Sequence, residues 1–510
     1  MFRRLLIANR GEIAIRVART AREMGIHSIG IHSQADRDAL HRRTMDESIE
    51  VGGPLPAQSY LNIEAILRAA KETRAEAVHP GYGFLSENAG FARRCEEEGI
   101  AFVGPPAKAM ALSGDKIASR KAMREAGLPV TAGVDRVVRT VDEARALAAT
   151  LGYPVLFKAT AGGGGIGMSR VDRPKDLAAA FESARSVARA NFGNPDLFLE
   201  KFLQRARHVE VQVLVGSRGK GLGFVERECS VQRRHQKLVE ETPSPAVTPS
   251  LRRKLIDAAV RGLRSIGYRN AGTVEFLFHD SRFTFNEVNA RLQVEHPITE
   301  MVTGVDLVRQ QLLIASGHEA ELSQSELAVR GHALECRINA EDPLRNFLPS
   351  PGRIVTYSEP VGPGVRVDSG VAAGSGIPPY YDPLVAKLVV HGRTRSLSIR
   401  RMQGAVEAFD IRGVHTTLAF HRAFLRETSF IRGNLWTTMV ADLRTIERIR
   451  SRGPWEETLA AIAAALTVRG RVAMGPALAF ERPRTSAWAL AGRRSQFEGG
   501  GHAVPSRRRW

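Results

Sequence analysis

The chain has 510 residues, more than the ~250–300 at which one hydrophobic core stops growing, so several domains are expected. Its 43% hydrophobic and 25% charged content is ordinary for a soluble globular protein, and no run of ~18 consecutive apolar residues marks a membrane span. The net charge of +19 raises nucleic-acid binding, but the arginines are scattered and no aromatic-interleaved basic stripe occurs, which argues against it.

The start, MFRRLLIANRGEIAIR, carries arginines where a signal peptide would continue its apolar core, and it reads as a first strand and helix. Strands are predicted at 4–9, 27–33, 75–80 and 100–105, with a helix over 11–25 that stops at a glycine. This alternation implies a parallel, doubly wound, Rossmann-like α/β domain over 1–113. No GxGxxG follows its first strand, so no nicotinamide dinucleotide is expected there. Between about 114 and 332 the pattern becomes α+β. YPVLFKA (153–159) enters a glycine run, DLFLEKFL (196–203) and HVEVQVLV (208–215) follow, and 273–291 resembles a β-hairpin. A third region, 333–440, offers short strands such as RIVTY (353–357) and LVAKLVVHG (384–392), then a helix over 396–409. From 441 to 510 the chain is Arg- and Ala-rich, with an amphipathic stretch at 457–468 and glycines at 499–501 that open an end expected to be disordered. Cys95, Cys229 and Cys336 are far apart with no CxxC, which speaks against disulfides and zinc and for a reducing, cytoplasmic setting.

The hairpin concentrates chemistry. With a turn centred on Ser281, Glu275 lies across from Glu287, and Asn289 and Arg291 share the face of Glu287. Like charges directly opposed are destabilising, and a divalent cation such as Mg2+ or Mn2+ would compensate them through oxygen ligands. The bland alternative is a solvated strand face. Arg291, Gln293 and Glu295 continue the same face until Pro297, a set able to hold a small planar anion and take a proton from it. The run AGGGGIG (161–167) lets backbone amides approach phosphates and lets the loop act as a lid, with Lys116 and Lys158 as cationic partners. It is not a Walker A loop.

These residues, with ERECSVQRRHQK (226–237), FNEVNARLQVEHPITEMVTGVDL (285–307), HPGYGFLSEN (79–88), GHALECRINAEDP (331–343) and FLPSPGRI (347–354), resemble biotin carboxylase in family order over about residues 1–440. The resemblance implies an N-terminal domain (1–113), an ATP-grasp domain (114–332, lid about 131–203) and a biotin carboxylase C-terminal domain (333–440), the tail being similar to an α-subunit linker. It implies ATP contacts at Lys116, Lys158, Gly164, Gly165, His208, Gln232 and His235, with adenine held by Glu200, Lys201, Phe202 and Leu203. Glu275, Glu287 and Asn289 match the metal set for two Mg2+ or Mn2+ ions, and Lys237, Arg291, Gln293 and Val294 the bicarbonate pocket. Glu295 matches the general base, and Arg337 the residue facing the biotin ureido oxygen.

The implied reaction is ATP-dependent carboxylation of biotin through carboxyphosphate, the first half-reaction of an acyl-CoA carboxylase. The implied partners are a biotin carboxyl carrier, a carboxyltransferase, and a second copy of the chain that meets this one around the helix of Arg16 and Glu23. Two departures stand out. Ile166 replaces a basic residue and Ala161 a glycine in the run, and no Met-Lys dipeptide is present to carry biotin. The alternatives are another ATP-grasp ligase, such as a carboxylate–amine ligase or carbamoyl phosphate synthetase module, and a basic nucleic-acid-binding protein.

Overall fold

The computed structural model describes residues 1–160, 165, 167–451, 462, 463 and 465. Ala161, Gly164, Ile166, the stretch at 457–468 as a whole, the linker-like segment 455–494 and the glycines at 499–501 lie outside the described residues or almost so. Residues Met1–Arg450 form one compact unit, and Ser451–Trp510 a second. Among the described residues no helix is long and apolar enough to cross a membrane.

The first strands are β1 (Arg4–Ile7), β2 (His27–Ser33), β3 (Glu47–Gly52), β4 (Ala77–His79) and β5 (Ala101–Phe102), in a parallel sheet of order β3-β2-β1-β4-β5. Both faces of β1 are buried, Leu5 and Ile7 in one core and Leu6 in another, which is why it reads as a continuous apolar run. β3 was not among the expected strands. ESIEVG is an edge strand with mostly half-buried side chains, so its apolar signal is weak. Helix α1 (Gly11–Glu23) follows β1 and packs Ile13, Ala14 and Val17 inward.

Three strands, β6 (Val155–Ala159), β7 (Ser169–Val171) and β8 (Leu197–Lys201), form a small antiparallel sheet backed by the helix Leu177–Phe192. The central antiparallel sheet begins with β9 (Arg207–Val215), β10 (Gly221–Gly223), β11 (Arg227–Arg233), β12 (Gln236–Thr242), β13 (Asn270–His279) and β14 (Arg282–Asn289). It continues through β15 (His332–Asn339) and the strands Leu384–Gly392 and Val365–Ser369. The hydrogen-bonded sheet therefore runs across residue 332, where the sequence places a change of region. RIVTY is not one strand: Gly352–Arg353 and Thr356–Ser358 pair with different partners, and Ile354 between them is buried in the core.

Alternation along β9 explains the site's position. Val209, Val211, Val213 and Val215 enter the core against the helix Pro249–Ser265, so His208, Glu210 and Gln212 face the other way. Arg16, on the helix expected at a contact with a second copy, is buried within the chain. Its Nη2 donates to Glu300 and Asp306 at 2.8 Å each, because Val17 and Ile13 draw that side of α1 into the core, whereas Glu23 is exposed.

Candidate active site

One cavity of about 530 Å³ lies over the polar face of the central sheet. Every expected site residue among the described ones lines it: Lys116, Lys158, Gly165 and Glu200 through Leu203, and Arg291, Gln293, Val294 and Glu295 with Arg337. His208, Gln232, His235, Lys237, Glu275, Glu287 and Asn289 form its floor and walls.

Three glutamates on adjacent strands, Glu210 of β9, Glu275 of β13 and Glu287 of β14, stand in direct register, Glu275 and Glu287 lining the cavity and Glu210 fully buried beside them. Glu210 was missed from sequence, since a lone glutamate among valines carries no motif. The alignment of Glu275 with Glu287 was expected, but the turn is a residue shorter than assumed. Asp280 and Ser281, both at positive φ (48° and 60°), make a two-residue turn between His279 and Arg282. A bulge then inserts Asn286 opposite the Glu275–Phe276 step and restores the pairing. Asn286 thereby reaches the cavity beside Glu287 and accepts a hydrogen bond from Lys158 Nζ at 2.9 Å.

The opposed carboxylates have protein cations as partners, so like-charge repulsion by itself does not demand a metal. Lys237 Nζ donates to Glu210 (2.6 Å), Glu275 (3.0 Å) and Glu295 (2.6 Å), His208 Nε2 lies 3.0 Å from Glu275, and Lys116 Nζ lies 3.7 Å from Glu287. Burial alone would raise the pKa of Glu275, but His208 and Lys237 outweigh it and hold the carboxyl well below its usual range. Burial likewise opposes the ionised forms of Glu295 and Lys237. Lys237 and Arg337 overcome it at Glu295, which stays anionic, and the three glutamates overcome it at Lys237, which stays protonated. Glu275, Glu287 and Asn289 present only oxygen acceptors on one wall, beside an Asn289 Nδ2 that has no partner among the described residues. That donor set suits a hard divalent cation.

Arg227 organises the sheet beneath. Fully buried, it donates to Glu210 at 2.5 Å, Gln212 at 3.0 Å, Thr299 at 3.1 Å, Thr273 at 3.2 Å and Gln293 at 2.7 Å. Gln293 in turn donates to Glu275 at 3.0 Å. Lys237 and Glu240 are three residues apart on β12 yet both face this cluster, because Leu238 is an extra residue opposite the Val231–Gln232 step. Arg337 spans two carboxylates, Glu295 through Nη2 at 2.8 Å and Glu240 through Nε at 2.6 Å. Arg291 is braced by Glu87 of the first domain at 3.0 Å, and its Nη2 donates to Asn289 at 3.1 Å. Lys158 pairs with Glu200 at 2.7 Å, and Glu200 also takes Arg120. A Cβ on Gly165 (φ +76°) would stand 2.6 Å from His235, so a side chain there would collide with the hairpin tip. Val294 enters through its backbone, its carbonyl accepting from Lys387 Nζ at 3.1 Å.

The backbone of Arg337 has its own support. Thr417 Oγ1 and His421 Nε2 both lie 2.8 Å from its carbonyl oxygen. Burial lowers the His421 pKa to about 4. A histidine depressed in the fold takes its proton first in the unfolded chain, so stability is complete above pH ~6.5 and falls as pH drops toward 4. At pH 5 the cost is about 2 kcal/mol from this ring. Thermal unfolding of wild type and His421→Gln at pH 7 and pH 5 checks it. The wild type is expected to lose more, and equal losses would show that His421 does not titrate there.

Three family models match consecutive parts of the chain: the biotin carboxylase N-terminal domain over 1–110, the ATP-binding domain of the carbamoyl-phosphate synthase L chain over 115–323, and the biotin carboxylase C-terminal domain over 335–442. The chain is 49% identical over 443 residues to biotin carboxylase of Nostoc sp., covering 87% of this chain and 99% of that one. It is 47% identical over 439 residues to biotin carboxylase 1 of Bacillus subtilis, covering 86% and 98%. The fold is similar to a biotin carboxylase–beta-gamma-ATP complex from Campylobacter jejuni, with a TM-score of 0.85, 44% identity and coverage of 87% and 99%. It is also similar to the biotin carboxylase domain dimer of Hydrogenobacter thermophilus 2-oxoglutarate carboxylase with MgADP, ADP and bicarbonate, at TM-score 0.86, 43% identity and coverage of 88% and 98%.

Proposed function

Because the chain belongs to the biotin carboxylase family, we propose that its cavity carries out the ATP-dependent carboxylation of biotin by bicarbonate. The observation that carries the reading is Glu295, held between Lys237 and Arg337 in the same cavity as the cationic pair Lys116 and Lys158. Bicarbonate is a poor electrophile, and transfer of the γ-phosphoryl group of ATP to one of its oxygens activates it as carboxyphosphate with release of ADP. Lys116, Lys158, His235 and the loop carrying Gly164 and Gly165 bind the phosphates. Glu200 to Leu203 hold the adenine, with His208 and Gln232 beside it. Glu275, Glu287 and Asn289 would hold Mg2+ or Mn2+, which when bound neutralises phosphate charge.

Bicarbonate sits against Lys237, Arg291, Gln293 and the backbone of Val294. Glu295 removes its proton. With Lys237 and Arg337 both on it, Glu295 is a weak base. A bound anion competes for those cations, so basicity returns as the site fills. Carboxyphosphate then yields CO2 and phosphate in a site closed to water, the phosphate takes the N1′ proton of biotin, and Arg337 stabilises the ureido oxyanion.

We assign these steps to the divisions 1–113, 114–332 and 333–440, with the lid at 131–203. A carrier protein or domain brings biotin, a carboxyltransferase selects the final acceptor, and two copies associate around α1, the helix of Arg16 and Glu23. The setting is cytoplasmic, in keeping with three buried free thiols. ADP formation by the purified chain tests the reading. It is expected to require bicarbonate and to rise with free biotin, and turnover indifferent to both would reject it.

A further inference from the structure

Beneath Arg337 the sheet holds two glutamates that the proposed reaction leaves unused. Glu240 of β12 and Glu335 of β15 are direct cross-strand partners, and both side chains are fully buried. Opposed positions stand ~4.5–5.5 Å apart at Cβ. Two ionised carboxylates so close and so far from water are strongly disfavoured, and such a pair keeps one proton.

Their partners show where the proton belongs. Glu240 Oε1 accepts from Arg337 Nε at 2.6 Å, which favours the ionised form. Glu240 Oε2 and both oxygens of Glu335 have no hydrogen-bond partner among the described residues. A protonated Glu335 supplies the one missing donor. The charged groups facing the pair are Arg337 and Lys237 beside it, Lys387 on the strand Leu384–Gly392, and Glu295 ahead of the helix His296–Thr303, with the buried thiols of Cys229 and Cys336 nearby. Burial first and Glu240 second push Glu335 well above the carboxylate range, against Lys387 and Arg337. Burial pushes Glu240 to about 7, Arg337 opposing.

The guanidinium of Arg337 is thus shared between a carboxylate proposed to act as base and one that is not. We propose that Glu240 and Glu335 form a proton-sharing pair that holds Arg337 by its Nε, so that the guanidinium keeps its place when Glu295 is engaged by bicarbonate. Both are positioning residues. The inference rests on the reading of Arg337 as the group that meets biotin.

Full-length Glu335→Gln, Glu335→Leu and Glu240→Gln are compared with wild type. At neutral pH the infrared difference spectrum, wild type minus Glu335→Gln, is expected to show the carbonyl stretch of one buried protonated carboxyl. Glutamine keeps a neutral donor, so its biotin-stimulated turnover stays within about threefold of wild type. Leucine removes the donor and Glu240→Gln the anion, and each raises the KM for biotin on the order of tenfold with the KM for ATP unchanged. A difference spectrum without that band overturns the shared proton, and an unchanged biotin KM in Glu240→Gln overturns the positioning role. A wild type that biotin does not stimulate sinks the reading of Arg337 instead, while the infrared band still judges the pair.

Discussion

Replacing Glu295 by glutamine is expected to lower bicarbonate-dependent turnover of ATP by about 10²–10⁴-fold, the usual contribution of a positioned general base. The substitution keeps the shape of the side chain and leaves its neighbours supplied. Lys237 retains Glu210 at 2.6 Å and Glu275 at 3.0 Å, and Arg337 retains Glu240 at 2.6 Å. Stability should therefore change little, and the KM for ATP should hold because Lys116 and Lys158 are untouched. Steady-state ADP release at saturating ATP and bicarbonate measures the effect. A loss of less than about threefold would mean that Glu295 does not take the bicarbonate proton, and that its place between two cations is structural.

Arg227→Met is expected to cost about 3–5 kcal/mol of folding free energy, the range for breaking a buried ion pair from one side. Five acceptors lose their donor together: Glu210, Gln212, Thr273, Gln293 and Thr299. Glu210 keeps Lys237, whose charge is already divided among three carboxylates, and the more distant His208 at 3.8 Å. Lysine cannot restore the fork, since one ammonium does not reach all of these groups. Urea unfolding measures the loss, or the half-life at a fixed raised temperature if unfolding is irreversible. A variant as stable as the wild type would show that the Arg227 network contributes register and not stability.

Much of this was legible beforehand. The alternation of HVEVQVLV marked a strand with a valine face and a polar face, and TVEFLFHDSRFTFNEVNAR marked a hairpin with Glu275 and Glu287 on one side. The reason for that pairing was not legible, because a shorter turn and the Asn286 bulge shift the register in compensating directions. The Leu238 bulge, likewise, brings Lys237 and Glu240 to one face, which strict alternation would place on opposite faces. Arg16 has a pairing that was not legible either. Its partners Glu300 and Asp306 lie nearly 300 residues away along the chain, and only the packing of α1 brings them together.

By itself the sequence determined the strand and helix periods, the parallel first sheet, the polar face of the hairpin, and the family that its matched blocks resemble. Those are local properties, set by side-chain alternation and by turn residues a few positions apart. The tertiary structure alone decided which charges are paired: Lys237 with Glu210, Glu275 and Glu295, Arg337 with Glu240 and Glu295, and Arg227 with its five acceptors. The partners come from separate strands of one sheet, and burial makes each charge depend on its neighbours far more than on its own strand.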